Sequence, residues 1–94
     1  MASTLDERYA FTVDWFDNQA QISRDYVLFF YPSDTSIEMY DVKNHRTFLK
    51  RNKYPIRLEE LFVGAQVNVF SRQLNIKEFA DAYTLGKLSK EMER

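Results

Sequence analysis

The chain has no cysteine, two glycines, two prolines and one histidine in 94 residues. Without cysteine there is no disulfide framework, no thiolate metal ligand and no thiol nucleophile, a composition that fits a reducing compartment. Glycine occurs only at Gly64 and Gly86, so neither a P-loop nor a dinucleotide-binding fingerprint can be written. His45, the lone histidine, has no nucleophilic cysteine to pair with, so it reads as a surface turn residue and not as a general base. No window approaches the roughly 18 apolar residues that a membrane span requires. The start, Met-Ala-Ser-Thr-Leu-Asp-Glu-Arg, has neither the basic nor the apolar region of a leader. The expectation is a soluble, intracellular, non-catalytic chain with no metal, no cofactor and no membrane span.

Aromatic residues, by contrast, are abundant: eight Phe, six Tyr and one Trp. Such side chains suit pleated, half-buried surfaces and tilt the reading toward strands. Tyr26, Tyr31 and Tyr40 could stack on bases, but no Lys or Arg run interleaves with them, so packing is the better reading and no nucleic-acid partner is expected. The adjacent carboxylates Asp6-Glu7 and Glu59-Glu60 point in different directions on either regular element and read as solvated faces.

The net charge of −1 hides a segregation. Residues 1–40 carry seven acidic and two basic side chains, whereas residues 41–57 carry Lys43, Arg46, Lys50, Arg51, Lys53 and Arg57 against Asp41 alone. Asymmetry of this kind bears on partners, not on fold.

Along the chain, Tyr9, Phe11, Val13 and Trp15 alternate with more polar neighbours, which predicts a strand with Trp15 among its core residues. Residues 24–31 form a more uniformly apolar strand, covered on both faces near its end and stopped by Pro32-Ser33-Asp34. Ser36 to Val42 alternates again, and Asn44-His45 makes a tight turn into Thr47-Phe48-Leu49, giving a hairpin with Lys43, His45 and Arg46 at its tip. Leu58 to Phe62 suits one helical turn ended by Gly64. Residues 66–71 and 73–79 alternate, with Arg72 at their junction. From Thr84, a candidate N-cap, Leu85, Leu88 and Met92 are spaced as the apolar stripe of a terminal helix over 84–94. The sum is a single domain, with residues 1–7 a flexible segment before six or seven antiparallel strands that curl into a barrel closed by one helix.

Three stretches together carry a family resemblance: 26–32 (YVLFFYP), 37–51 (IEMYDVKNHRTFLKR) and 67–74 (VNVFSRQL). They resemble the DM-ten domain, specifically the amino-terminal domains of the seventh-type, ciliary nucleoside diphosphate kinases with two kinase domains. The resemblance implies a mainly β, pleckstrin-homology-like barrel with a carboxy-terminal helix. It further implies a cytoplasmic, cytoskeletal module of the cilium or flagellum axoneme that docks on tubulin inside doublet microtubules, and that reaches γ-tubulin complexes through a longer parent. The kinase domains of such a parent would follow Arg94, so their activity is not expected of these residues. The family's motif fixes no binding set, and the basic residues Lys43, His45, Arg46, Lys50, Arg51 and Lys53 are the candidate partner-binding residues on charge alone. The alternative is a phosphoinositide or other anion-binding module, since basic loops on a barrel attract anionic lipid.

Overall fold

The computed structural model describes residues 7–92, with side chains as far as residue 89. Six antiparallel strands, β1 (Tyr9–Asp17), β2 (Ile22–Tyr31), β3 (Ser36–Asp41), β4 (Arg46–Lys53), β5 (Gln66–Val69) and β6 (Arg72–Phe79), precede one helix, α1 (Ala82–Met92). The strands lie in the order β4-β3-β2-β1-β6-β5, a sheet curled into a half-barrel with β4 and β5 at its edges. The chain is thus mainly β with six strands and a carboxy-terminal helix, as the alternating runs and the later change of period predict.

Period-2 patterning places Phe11, Val13, Leu28, Ile37, Met39, Leu74 and Ile76 inside, each almost fully buried. Fully burying one such side chain contributes about 1.5–3 kcal/mol. Irregularities at Thr12/Val13, opposite β6, and twice along β3, opposite β4, bend the strands and let the sheet curl around this core. Tyr54, just after β4, accepts the Phe70 N–H on its hydroxyl at 3.2 Å and packs its ring against Phe70 at 4.7 Å, drawing the two edges toward each other.

β1 departs from simple alternation, because Ala10 is buried as well as Tyr9 and Phe11. α1 covers that end of the strand: the Ala10 N–H donates to Thr84 Oγ1 at 2.8 Å, and Ala80 N–H donates to the Ala10 carbonyl at 2.8 Å. The predicted cap is corrected accordingly. Asp81 caps the helix, accepting the Thr84 N–H at 2.8 Å, while Thr84 lies one turn inside with its hydroxyl spent on β1. Leu88 packs against the core and Leu85 faces solvent, so the helix contacts the barrel through Thr84 and Leu88. The Met92 side chain, residues 93–94 of the predicted helix, and residues 1–6 of the predicted 1–7 segment, Asp6 among them, lie outside the described residues. Glu7 accepts hydrogen bonds from the hydroxyls of Tyr9, at 2.8 Å, and Tyr83.

Three further expectations are corrected. Trp15 is half-buried at the core's margin, because β1 runs past the end of the buried layer by that point. The β5–β6 junction turns at Phe70-Ser71, with Arg72 already in β6. Both turn residues have positive φ, 49° and 69°, the conformation a two-residue hairpin with right-handed twist demands. Neither is glycine or asparagine, so the turn is strained. The expected helical turn is a 3₁₀ turn, Leu58–Glu60, that ends at Leu61, and Gly64, at φ 96°, lies in the next turn instead of ending this one.

Candidate functional site

The basic hairpin is formed because Asp41 closes the β3–β4 turn locally. Its carboxylate accepts the Asn44 N–H at 3.2 Å and the Asn44 side-chain amide at 2.7 Å, and His45 takes the left-handed conformation, φ 55°. Those Asn44 bonds, with the Arg46 charge, hold the Asp41 carboxyl below its ordinary value. Lys43 and His45 project from the exposed turn, and Arg46 opens β4.

β4 is the edge strand with least burial, Leu49 alone being partly covered. Lys50 and Lys53 are exposed along it, and at about 3.3 Å per residue Lys53 lies about 23 Å from Arg46. The candidate cations therefore form a strip along one sheet edge instead of a compact cluster.

Arg51 differs from the other five. Its guanidinium donates to Ser36 Oγ at 2.8 Å and Asp34 Oδ1 at 3.3 Å and lies 3.6 Å from the Tyr31 ring centroid. Tyr31 in turn donates to Glu38 Oε1 at 2.7 Å. Arg51 thus holds the β2–β3 turn to β4, and reversing its charge would break an internal network.

At the Asp17 end of β1, the β1–β2, β3–β4 and β5–β6 turns meet around a groove of about 750 Å³ that charge segregation alone does not reveal. Three arginines, Arg24, Arg46 and Arg72, and two aspartates, Asp17 and Asp41, line it with Trp15, Phe16, Tyr26, Phe48 and Phe70. Tyr26 and Phe48 stack at 4.4 Å, and the Arg72 guanidinium lies 5.2 Å from the Trp15 ring and 5.0 Å from the Phe48 ring. Arg24 Nε donates to Asp17 Oδ2 at 2.9 Å, and this bond with two backbone N–H groups keeps the Asp17 carboxyl below its ordinary value. Arg72 stood out in sequence only as a junction residue. Its convergence with Trp15 and Phe48 is set by topology, which brings together positions far apart in the chain.

Among the described residues, no group of three or more His, Asp and Glu side chains could hold a metal ion, and no helix is long and apolar enough to cross a membrane. The chemistry on offer is recognition by guanidinium, ammonium and aromatic groups.

Comparison with known proteins agrees with this architecture. The family model described as the nucleoside diphosphate kinase 7 N-terminal PH domain matches residues 3–90. Nucleoside diphosphate kinase homolog 7 of Mus musculus is 54% identical over 89 residues, which is 94% of this chain and 22% of that protein. The Rattus norvegicus protein of the same name is 52% identical over 89 residues, with the same coverage. The chain spans about a fifth of the length of these relatives, and what it matches is the PH-like domain, with no kinase domain included. It belongs to the nucleoside diphosphate kinase 7 N-terminal PH domain family.

Proposed function

We propose that this domain is a non-catalytic protein-interaction module that docks on an acidic partner, tubulin within the doublet microtubules of the axoneme, through the basic edge of β4 and its turn. The carrying observation is the exposure of Lys43, His45, Arg46, Lys50 and Lys53 along an edge strand that contributes almost nothing to the core. Residues freed from packing can be chosen for a partner, and their cations complement an acidic surface. The DM-ten resemblance of residues 26–32, 37–51 and 67–74 supports the finer reading: a cytoplasmic protein of the cilium, facing tubulin, with γ-tubulin complexes reached through a longer parent. Phosphotransfer belongs to the kinase domains of such a parent.

The rival, a phosphoinositide or other anion-binding module, has the PH-like fold in its favour. Against it, Asp17 and Asp41 line the one groove where Arg24, Arg46 and Arg72 meet, and both stay ionised at neutral pH. Microtubule cosedimentation beside liposome sedimentation separates the two. A Lys43→Glu/Lys50→Glu chain is expected to lose microtubule binding, and a Lys77→Glu/Lys87→Glu chain to keep it, since like charges across an interface cost several kcal/mol. Equal microtubule binding by both would remove the basic edge from the interface. Binding to anionic vesicles and not to microtubules would favour the rival.

A further inference from the structure

The groove at the Asp17 end of β1 has features that the basic-edge reading does not use. The Nε–H of Arg72 is buried there with no hydrogen-bond partner, although a guanidinium donor out of water ordinarily finds an acceptor. The same guanidinium is held against the Trp15 and Phe48 rings, so it is fixed in orientation before any ligand arrives. The strained Phe70-Ser71 turn carries Arg72 into this position and leaves Phe70 42% exposed at the rim, with Phe16 49% exposed beside it. Strain, an unmet donor and uncovered aromatic rings at one place are the marks of a surface arranged for a partner.

The charge of the groove specifies that partner. Three arginines against two aspartates leave a surplus of one positive charge. Arg24 is already paired with Asp17 and Arg72 Nη1 donates to the Phe70 carbonyl at 3.4 Å, which leaves Arg46 and the remaining Arg72 N–H groups to serve a ligand. A headgroup with several phosphates would bring multiple negative charges against two ionised carboxylates, whereas a single carboxylate matches the surplus. Trp, Tyr and Arg are the residues that most often carry binding energy at protein interfaces.

We propose that this groove docks an extended segment of a partner protein bearing one acidic side chain between apolar ones, the carboxylate accepting from Arg72 and Arg46 and its apolar neighbours lying on Trp15, Phe48 and Phe70. The site does not use Lys50 or Lys53, and it shares Arg46 and Phe48 with the β4 edge. Charge-assisted bonds to a pre-oriented guanidinium supply direction, and the aromatic rim supplies area.

The sole tryptophan lies in the groove, so its fluorescence reports occupancy directly. The full chain is panned against a random peptide library, with the Arg72→Gln chain as the counter-target. The selected peptides are then titrated by Trp15 fluorescence, each beside its own acid-to-amide version and beside vesicles containing phosphatidylinositol bisphosphate. Selected peptides are expected to share one Asp or Glu flanked by apolar residues, and amidation of that acid is expected to weaken binding by about tenfold or more. Arg72→Gln should weaken binding equally. Phe70→Asn, which relaxes the turn and removes the rim ring, should weaken binding while the chain stays folded by circular dichroism, so the proposal stays testable if Arg72→Gln fails to fold. A library yielding no binder, binders without a required acid, retained affinity in the folded variants, or a Trp15 response to the vesicles in place of the peptides would each overturn it.

Discussion

The two ends of β1 solve opposite problems. At the Ala10 end, α1 covers the strand, and the backbone groups it buries are met: Ala10 donates to Thr84, Ala80 donates to Ala10, and Asp81 caps the helix. At the Asp17 end, among the described residues, no helix covers the strand, four turn residues, Gln21, His45, Phe70 and Ser71, sit in the left-handed region, and the buried Arg72 Nε–H has no partner. One end of the same strand is built to close the fold, and the other keeps a donor without a partner beside a groove. Local rules obeyed at one end and broken at the other point to stability and to binding respectively.

The contrast predicts a gradient of mutational cost. Phe11→Ala empties a fully buried position that packs against Phe79 near the helix, and should cost about 3–5 kcal/mol in urea unfolding. Thr84→Val keeps the volume but leaves the Ala10 N–H buried without an acceptor, which should cost about 1–3 kcal/mol.

The covered end should also carry a pH dependence. Tyr83 and Tyr9 hydroxyls hold the Glu7 carboxyl below its ordinary value, while burial pushes the Tyr9 hydroxyl up. A carboxyl lowered in the folded state contributes stability that is fully present above its unfolded value and is lost as pH falls through the folded value. Stability should therefore decline on acidification, and Glu7→Gln should reduce that slope. Asp17, Asp34 and Asp41, lowered for their own reasons, should keep part of it. Urea midpoints between about pH 7 and pH 3 measure both chains.

At the groove end the expected costs are smaller. Phe70→Asn relieves about 1–2 kcal/mol of left-handed strain and forfeits about 0.5–1.5 kcal/mol of ring contact with Tyr54, so unfolding should be nearly unchanged. Lys50→Glu on the exposed edge should shift stability by less than about 0.5 kcal/mol. A Phe70→Asn or Lys50→Glu chain as destabilised as Thr84→Val would break the comparison.

The covered half of the molecule was the more legible in sequence. Alternation in β1 and β3 and the period change into α1 follow from burial of one face, which composition records directly. The helix start is ambiguous in sequence because Thr84 and Asp81 are both capping residue types, and only the tertiary bond from Ala10 decides between them. The β5–β6 turn was hidden because Phe70-Ser71 lacks the glycine or asparagine that marks such turns, so the apolar alternation ran through it. Of the candidate site, the basic edge was visible as charge density, but the binding of Arg51 to Ser36 and Asp34 and the meeting of Arg72 with Trp15 and Phe48 depend on strand register. No local pattern encodes those pairings.

The central claim is that the β3–β4 edge and the groove end face a partner while the helix-covered end stabilises the fold. Hydrogen–deuterium exchange of the unmodified chain, with and without microtubules, tests it most directly. The account predicts added protection at residues 41–53 and 70–72, with residues 82–89 of α1 unchanged. Protection confined to α1 and the start of β1, with residues 41–53 exchanging as in the free chain, would contradict it.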